Sequence, residues 1–247
     1  STVIANPNLS PSIENKYGVA DMITGYGVAQ SVIQYYSVQR INYTNKGVII
    51  QGWGNVGAAA GFYLAQAGFL IKGIIDKNGA LISKEGFELT KITQLFINRE
   101  HKVLTDQNLI SFEKGNQEIW NIPAEVFIPA AGSRLVTEGQ LSKLVNNGLE
   151  VIASGANVPF KDPEIFYGDT LKKADELVTV IPDFIANCGM ARTFAYLMTE
   201  HAEVTSSAIF SDVQNKIKEA INEVLKKNKT GRFFTQTALE IAIQKLL

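Results

Sequence analysis

The sequence predicts an α/β fold: a doubly wound parallel sheet with flanking helices and additional C-terminal helices. Two observations predict it. Short apolar runs at 47–51, 70–75, 124–128, 149–153 and 178–181 alternate with segments of helical periodicity, which implies parallel strands joined by crossovers. Each run also ends in small or polar residues, at 52–57, 76, 129–133, 154–157 and 182–187. Ligands bind such sheets beyond the carboxyl ends of the strands, so these five ends describe one crevice.

Taken in order, residues 1–16 are polar and proline-containing and read as a tail or a cut domain edge, leaving 17–247 as the domain. Residues 17–39 have a broad apolar side formed by Val19, Met22, Ile23, Tyr26, Val28, Val32, Ile33 and Tyr36, and are expected to be helical. Gly25 and Gly27 lie inside that helix, where each costs roughly 1 kcal/mol against alanine. Such glycines imply close packing or the approach of another group.

The run Val48 to Ile50 leads into Gly52-Trp-Gly54-Asn-Val-Gly57 and then a helix-forming segment, 58–67. The three glycines have the G-x-G-x-x-G spacing of a dinucleotide-binding turn, with the strand before and the helix after that such a turn requires. Gly52 permits the tight turn, Gly54 lets backbone approach a pyrophosphate, and Gly57 lets helix meet strand. The helix then aims its unpaired N–H groups at the phosphates. This gives a Rossmann-like reading. Asp76, 19 positions beyond Gly57, stands where a carboxylate would meet the adenosine ribose, and it also opens a good turn sequence, Asp76-Lys-Asn-Gly79. Both roles are compatible.

Beyond it, 78–86 reads as a hairpin or extended excursion, 87–99 as an amphipathic helix, and 108–117 as a polar loop. Residues 137–147 form a helix with Thr137 as N-cap and Gly148 as its stop. Pro182 at a first helical position starts a helix through residue 200, and 206–227 and 235–247 supply the last two.

Composition narrows the function. The chain has 247 residues, 46% hydrophobic and 19% charged, with 23 basic and 24 acidic residues, so no basic footprint points to nucleic acid or an anionic membrane. The uncharged stretch 47–71 is long enough for a membrane span, but its glycines divide it into strand, turn, helix and strand. One cysteine, Cys188, excludes an internal disulfide and fits a reducing cytoplasm. It reads as a small buried apolar residue. His101 and His201 stand apart in charged contexts, so no metal site is expected, and no catalytic set is evident.

The strand ends together resemble the coenzyme-binding domain of the Glu/Leu/Phe/Val amino-acid dehydrogenases. Thr24-Gly-Tyr-Gly27 resembles the T-G-Y-G helix segment, and 51–57 the Q-G-[FW]-G-N-V-[GA] turn. Ile128-Pro-Ala-Ala131 resembles the V-P-A-A strand end, Gly155-Ala-Asn157 the E-G-A-N segment, and 181–187 the I-P-D-x-x-A-N turn. Asp76-Lys-Asn-Gly79 with Ile82 and Gly86 is most similar to glutamate dehydrogenases. The resemblance implies oxidative deamination of an amino acid to a 2-oxo acid, with hydride passing to NAD or NADP. It implies a cofactor site of Thr24, Gly52, Gly54, Asn55, Val56, Gly57, Asp76, Ala130, Ala131, Asn157 and Asn187. Thr24 and Asn157 would hold the nicotinamide end, Ala130 and Ala131 would line the cleft, and Asn187 would lie near the substrate side. The Asp76 carboxylate favours NAD, while Lys72 and Lys77 leave NADP open.

The family's catalytic lysine and aspartate belong to a separate N-terminal domain with a G-G-x-K segment, which this sequence does not contain. The chain is therefore expected to bind dinucleotide without turning over amino acid alone. Ser154 stands where the family has an acidic residue, Arg134 where it often has asparagine, Cys188-Gly-Met190 where it has A-G-G, and Phe194 where a substrate-recognising serine aligns. These departures put glutamate specificity in doubt. They also admit an alternative, a non-catalytic dinucleotide-binding paralogue acting as sensor or assembly partner. The family is usually oligomeric, which leaves a homo-oligomer open.

Overall fold

The computed structural model describes residues 4, 6, 9–11 and 16–246. One six-stranded sheet forms its centre: β1 (Gly47–Gln51), β2 (Leu70–Asp76), β3 (Gly79–Phe87), β4 (Val126–Pro129), β5 (Val151–Ala153) and β6 (Thr179–Ile181). Their order is β3-β2-β1-β4-β5-β6. The five expected strands pair in parallel, and the 78–86 excursion supplies the sixth, antiparallel to β2 at the edge. Asp76-Lys-Asn-Gly79 is the hairpin turn between them.

Both faces of the sheet are covered, as side chains that alternate along each strand require. Ile50, Val126, Ile128, Val151 and Ala153 point into one core, and Ile49, Phe127, Ile152 and Val180 into the other. In β2 the register against β1 skips Lys72, so Ile71 and Ile74 share a face despite odd spacing. The first core lies under α1 (Val19–Val38), α2 (Asn55–Gln66), α3 (Leu89–Ile97) and α9 (Ser206–Lys227). The second lies under a 3-10 turn at Ile119–Asn121, α5 (Glu138–Asn146) and α6 (Asp169–Leu177). Thr137 caps α5 as expected, accepting from the Gln140 N–H at 3.3 Å while the Gln140 side chain accepts from the Thr137 N–H at 2.9 Å.

Three expectations are corrected. The polar stretch 108–117 is not all loop: α4 (Phe112–Glu118) forms there, capped by the Ser111 hydroxyl. Gly115 seats the helix on Ala80, a long-range contact that overrides weak local propensity. The helix from Pro182 is two helices, α7 (Asp183–Ala186) and α8 (Gly189–Leu197), broken at Asn187-Cys188, and Pro182 is the N-cap of α7 rather than its first residue. The segment 87–99 is helical only from Leu89 to Ile97, because Phe87 pairs with Ile71 in the sheet. Most of the 1–16 tail lies outside the described residues. Of the part described, Ile4 and Leu9 are buried against the first core. The last helix, α10 (Phe234–Gln244), starts one residue earlier than expected, and Leu247 is not described. No helix among the described residues is long and apolar enough to cross a membrane.

The α1 glycines are explained by helix contact. A Cβ on Gly25 would overlap the Val56 carbonyl oxygen and lie 2.6 Å from the Ala59 Cβ, so α1 and α2 touch backbone to backbone. One on Gly27 would lie 2.9 Å from the Ala186 carbonyl oxygen. Replacing Gly25 by alanine must push α1 off α2, and overpacking of this kind costs about 1–3 kcal/mol. Urea denaturation of Gly25→Ala is expected to show that loss; an unchanged midpoint would mean the helices are not in direct contact.

Candidate functional site

The parallel sheet reverses its winding between β1 and β4, and the site is built where those strands end. The Gly52 N–H donates to the Ile75 carbonyl at 2.6 Å, and the Ala130 N–H to the Gln51 carbonyl at 2.7 Å. The Gly155 and Ala156 N–H groups both donate to the Pro129 carbonyl, at 3.0 and 2.8 Å. Four strand ends, those of β2, β1, β4 and β5, are thereby held edge to edge.

Gly52 has φ +97°, a conformation side chains rarely adopt, and a Cβ there would lie 2.5 Å from the Ala131 Cα. A Cβ on Gly57 would overlap the Gly52 carbonyl oxygen. The first and last glycines thus fold the turn onto itself. Gly54 differs, because the nearest atom to a Cβ there would be the Lys102 carbonyl oxygen at 3.9 Å. Its outer side is open, and Gly54 is the N-cap of α2. The open glycine and the N-terminal N–H groups of α2 make a main-chain surface whose shape and polarity would suit a diphosphate.

Two buried side chains hold this turn from behind. The Trp53 indole is fully buried and donates to the Leu95 carbonyl at 3.2 Å. The Arg99 guanidinium donates to the Gly54 carbonyl at 2.9 Å and stacks on the Phe96 and Tyr17 rings at 4.4 and 5.0 Å. Both tie the turn to α3 and the residues after it.

A cleft of about 690 Å³ opens beside the turn. Of the expected site residues, Gly52, Gly54, Asp76, Ala130 and Ala131 line it. Val56 and Ala130 meet over Gly155, where a Cβ would lie 3.2 and 2.9 Å from them. Asn55 turns its amide to Asp21 of α1 at 3.1 Å. Asn157 and Asn187 form a separate pair, the Asn187 amide donating to the Asn157 side-chain oxygen at 2.8 Å and to the Gly155 carbonyl at 3.3 Å. Thr24 is half-buried where α1 meets the start of α8.

Asp76 is buried, and its carboxylate turns back into the protein. It accepts from the Asn78 N–H at 2.8 Å and the Leu104 N–H at 2.5 Å. Burial pushes its carboxyl above the ordinary value, opposed by these donors, by the Gly79 N–H and by the Lys77 charge. The turn role expected for Asp76 is therefore present. Lys72, by contrast, is remote: it follows the first residues of β2 and donates to the Pro123 carbonyl at 3.1 Å beside Gly47, at the opposite end of the strands. Arg134 is engaged structurally, its guanidinium holding the Asp162 and Pro163 carbonyls at 2.6 and 2.9 Å.

The sequence reading did not bring residues 99–104 to the site. His101 and Lys102 line the same cleft as Gly54, although His101 reads from sequence as a surface residue. The signal was faint, a short charged stretch after an amphipathic helix. Among the described residues no cluster suited to a metal ion occurs.

The family model for Glutamate/Leucine/Phenylalanine/Valine dehydrogenase matches residues 18–247. The chain belongs to that family. An NADP-specific glutamate dehydrogenase of Psychrobacter sp. (strain TAD1) is 26% identical over 204 residues, covering 81% of this chain and 44% of the relative. The NAD-specific glutamate dehydrogenase A of Halobacterium salinarum is 30% identical over 162 residues, 66% of this chain and 34% of its own. The chain thus spans less than half the length of these two relatives. The hetero-hexameric glutamate dehydrogenase of Thermus thermophilus in its Leu-bound form shares the fold, with TM-score 0.70 at 18% identity over 92% of this chain and 52% of its own.

Cys188, in the break between α7 and α8, has its thiol pushed up to about 11 by burial, only partly offset by the nearby Arg192 charge. A raised thiol value leaves it protonated at neutral pH. Labelling with a thiol reagent at pH 7.5 is expected to be far slower for the folded protein than for the urea-unfolded chain. Comparable rates would show a reactive thiol.

Proposed function

We propose that this chain is the coenzyme-binding part of a glutamate-dehydrogenase-like enzyme that deaminates an L-amino acid oxidatively to a 2-oxo acid. One observation carries the reading: a strand, a self-contacting glycine turn and an open helix N-terminus stand together at the mouth of the cleft. The α2 N–H groups and Gly54 would hold the pyrophosphate, with Arg99 supplying positive charge from behind. Ala130 and Ala131 would form the wall against which the cofactor lies. Asn157 and Asn187, paired with each other, would orient the nicotinamide end beside Thr24. When bound, the nicotinamide supplies the hydride acceptor; this chain supplies its placement.

The groups that act on the amino acid are assigned to the portion of such enzymes that this chain does not span. Support for that division comes from the resemblance to a family whose catalytic lysine and aspartate stand on another domain. A second reading, a dinucleotide-binding paralogue acting as sensor or assembly partner, is favoured by Phe194. Its ring is 44% exposed and cannot hydrogen-bond a substrate carboxylate. Turnover of an amino acid by the chain joined to such a catalytic domain would decide for the enzyme.

Gly54 supplies the direct test. A Cβ there meets only the Lys102 carbonyl oxygen, at an ordinary 3.9 Å, and its φ of −72° carries no strain, so Gly54→Val is expected to keep the thermal midpoint within about 3 °C. Its side chain would fill the place where the pyrophosphate must approach. Calorimetry with NAD and NADP is expected to show binding to the native chain and an affinity at least about tenfold weaker in Gly54→Val. Equal affinity in a folded variant would remove this turn from the binding site.

A further inference from the structure

The wall of the cleft opposite the glycine turn is a two-residue hairpin turn, His101-Lys102. Glu100 and Val103 bridge across it, and the Val103 N–H donates to the Glu100 carbonyl at 3.1 Å. His101 and Lys102 have φ of 49° and 61°, both in the left-handed region. Turns of this type favour asparagine and glycine, because a Cβ is strained at both positions. Here the strain is borne by two basic residues, and such strain persists where surrounding contacts over-determine it, often at a ligand clamp.

Those contacts are visible at both feet of the turn. On one side Arg99, buried among Phe96 and Tyr17, donates to the Gly54 carbonyl at 2.9 Å. On the other side the Leu104 N–H donates to the Asp76 carboxylate at 2.5 Å, and the Asn78 amide to the Leu104 carbonyl at 3.4 Å. The turn is pinned to the phosphate-binding loop and to the end of β2 at once. It carries His101 and Lys102 into the cleft that Lys77, next to Asp76, also lines. No ion pair among the described residues engages any of these three side chains. The acidic groups of the cleft differ in availability: Asp76 is buried with its oxygens on backbone donors, and Glu113 is exposed on α4.

We propose that Lys77, His101 and Lys102 form a seat for a phosphate on the adenosine ribose, so that this chain selects the 2′-phosphorylated dinucleotide, NADP, over NAD. The inference rests on the dinucleotide reading above and reverses the preference expected from Asp76 in the sequence. Asp76 anchors the cationic turn instead of reading the ribose hydroxyls. Removing the unpaired Lys102 ammonium and the His101 imidazole from water-facing positions beside a phosphate would forfeit hydrogen bonds, the lysine's charge-assisted, that NAD never makes.

Calorimetry on the native chain with NADP, NAD, 2′,5′-ADP and 5′-ADP tests the inference. NADP is expected to bind about tenfold tighter than NAD, and 2′,5′-ADP than 5′-ADP, as one or two charge-assisted contacts imply. The double variant His101→Asn, Lys102→Asn keeps a residue tolerant of left-handed backbone at each position while removing the basic groups. It is expected to lose most of the NADP advantage and leave NAD affinity within about twofold, and Lys102→Arg to retain the advantage. NAD binding as tightly as NADP overturns this inference and leaves the dinucleotide site standing. A variant that weakens both coenzymes equally also overturns it, as the turn would then be structural only. Binding of none of the four overturns the dinucleotide reading itself.

Discussion

Everything at the carboxyl edge of this sheet depends on backbones that touch where no side chain intervenes. Gly57 rests on the Gly52 carbonyl, Gly52 on Ala131, and Gly25 of α1 on the Val56 carbonyl of α2. These contacts are linked, since Val56 belongs to the same turn-and-helix unit that Gly57 seats. The position of the α2 N-terminus is therefore fixed from the strand side and from the α1 side together. Close packing leaves such an arrangement little freedom to adjust by a few tenths of an ångström.

Buried carboxylates complete the frame in a related way. Asp76 holds residues 78 and 104 by their N–H groups, and Asp175 on α6 holds the start of α10. The Asp175 carboxylate accepts from the Thr235 and Gln236 N–H groups at 2.9 and 3.0 Å and from the Tyr167 hydroxyl at 3.0 Å. Burial pushes its carboxyl up, as it does for Asp76, and the donors hold it back. Each carboxylate joins segments distant in sequence at the cost of desolvation. Asp76 thereby fixes loop residues beside the end of β2, and Asp175 fixes the first turn of α10.

Much of this was legible in the sequence because it is local. Apolar runs bounded by glycine define β1 and β2, the spacing of Gly52, Gly54 and Gly57 defines the turn, and Thr137 with Gln140 defines the start of α5. What stayed hidden depends on partners far along the chain. The polar helix α4 has weak propensity of its own and forms where Gly115 meets Ala80. The break at Asn187-Cys188 follows from tertiary contact: a Cβ on Gly189, at the start of α8, would overlap the Ile23 carbonyl of α1. The clamps on 99–104 join residues 45 and 28 positions apart, beyond any local pattern. Of the candidate site, the glycine turn could be read directly, whereas Asn157, Asn187 and Thr24 entered through the family resemblance.

The open face at Gly54 has a consequence for how coenzyme preference can change over evolutionary time. Main-chain N–H groups carry no side-chain identity, so on the proposed reading a diphosphate would keep the same contacts whatever the flanking sequence becomes. Selectivity would then fall to the few exposed side chains on the turn opposite, His101 and Lys102. Exchanging a residue or two there would then alter the preferred nucleotide while leaving those main-chain contacts in place. A scaffold so divided is readily retuned, a property well matched to a family whose members are named for either coenzyme.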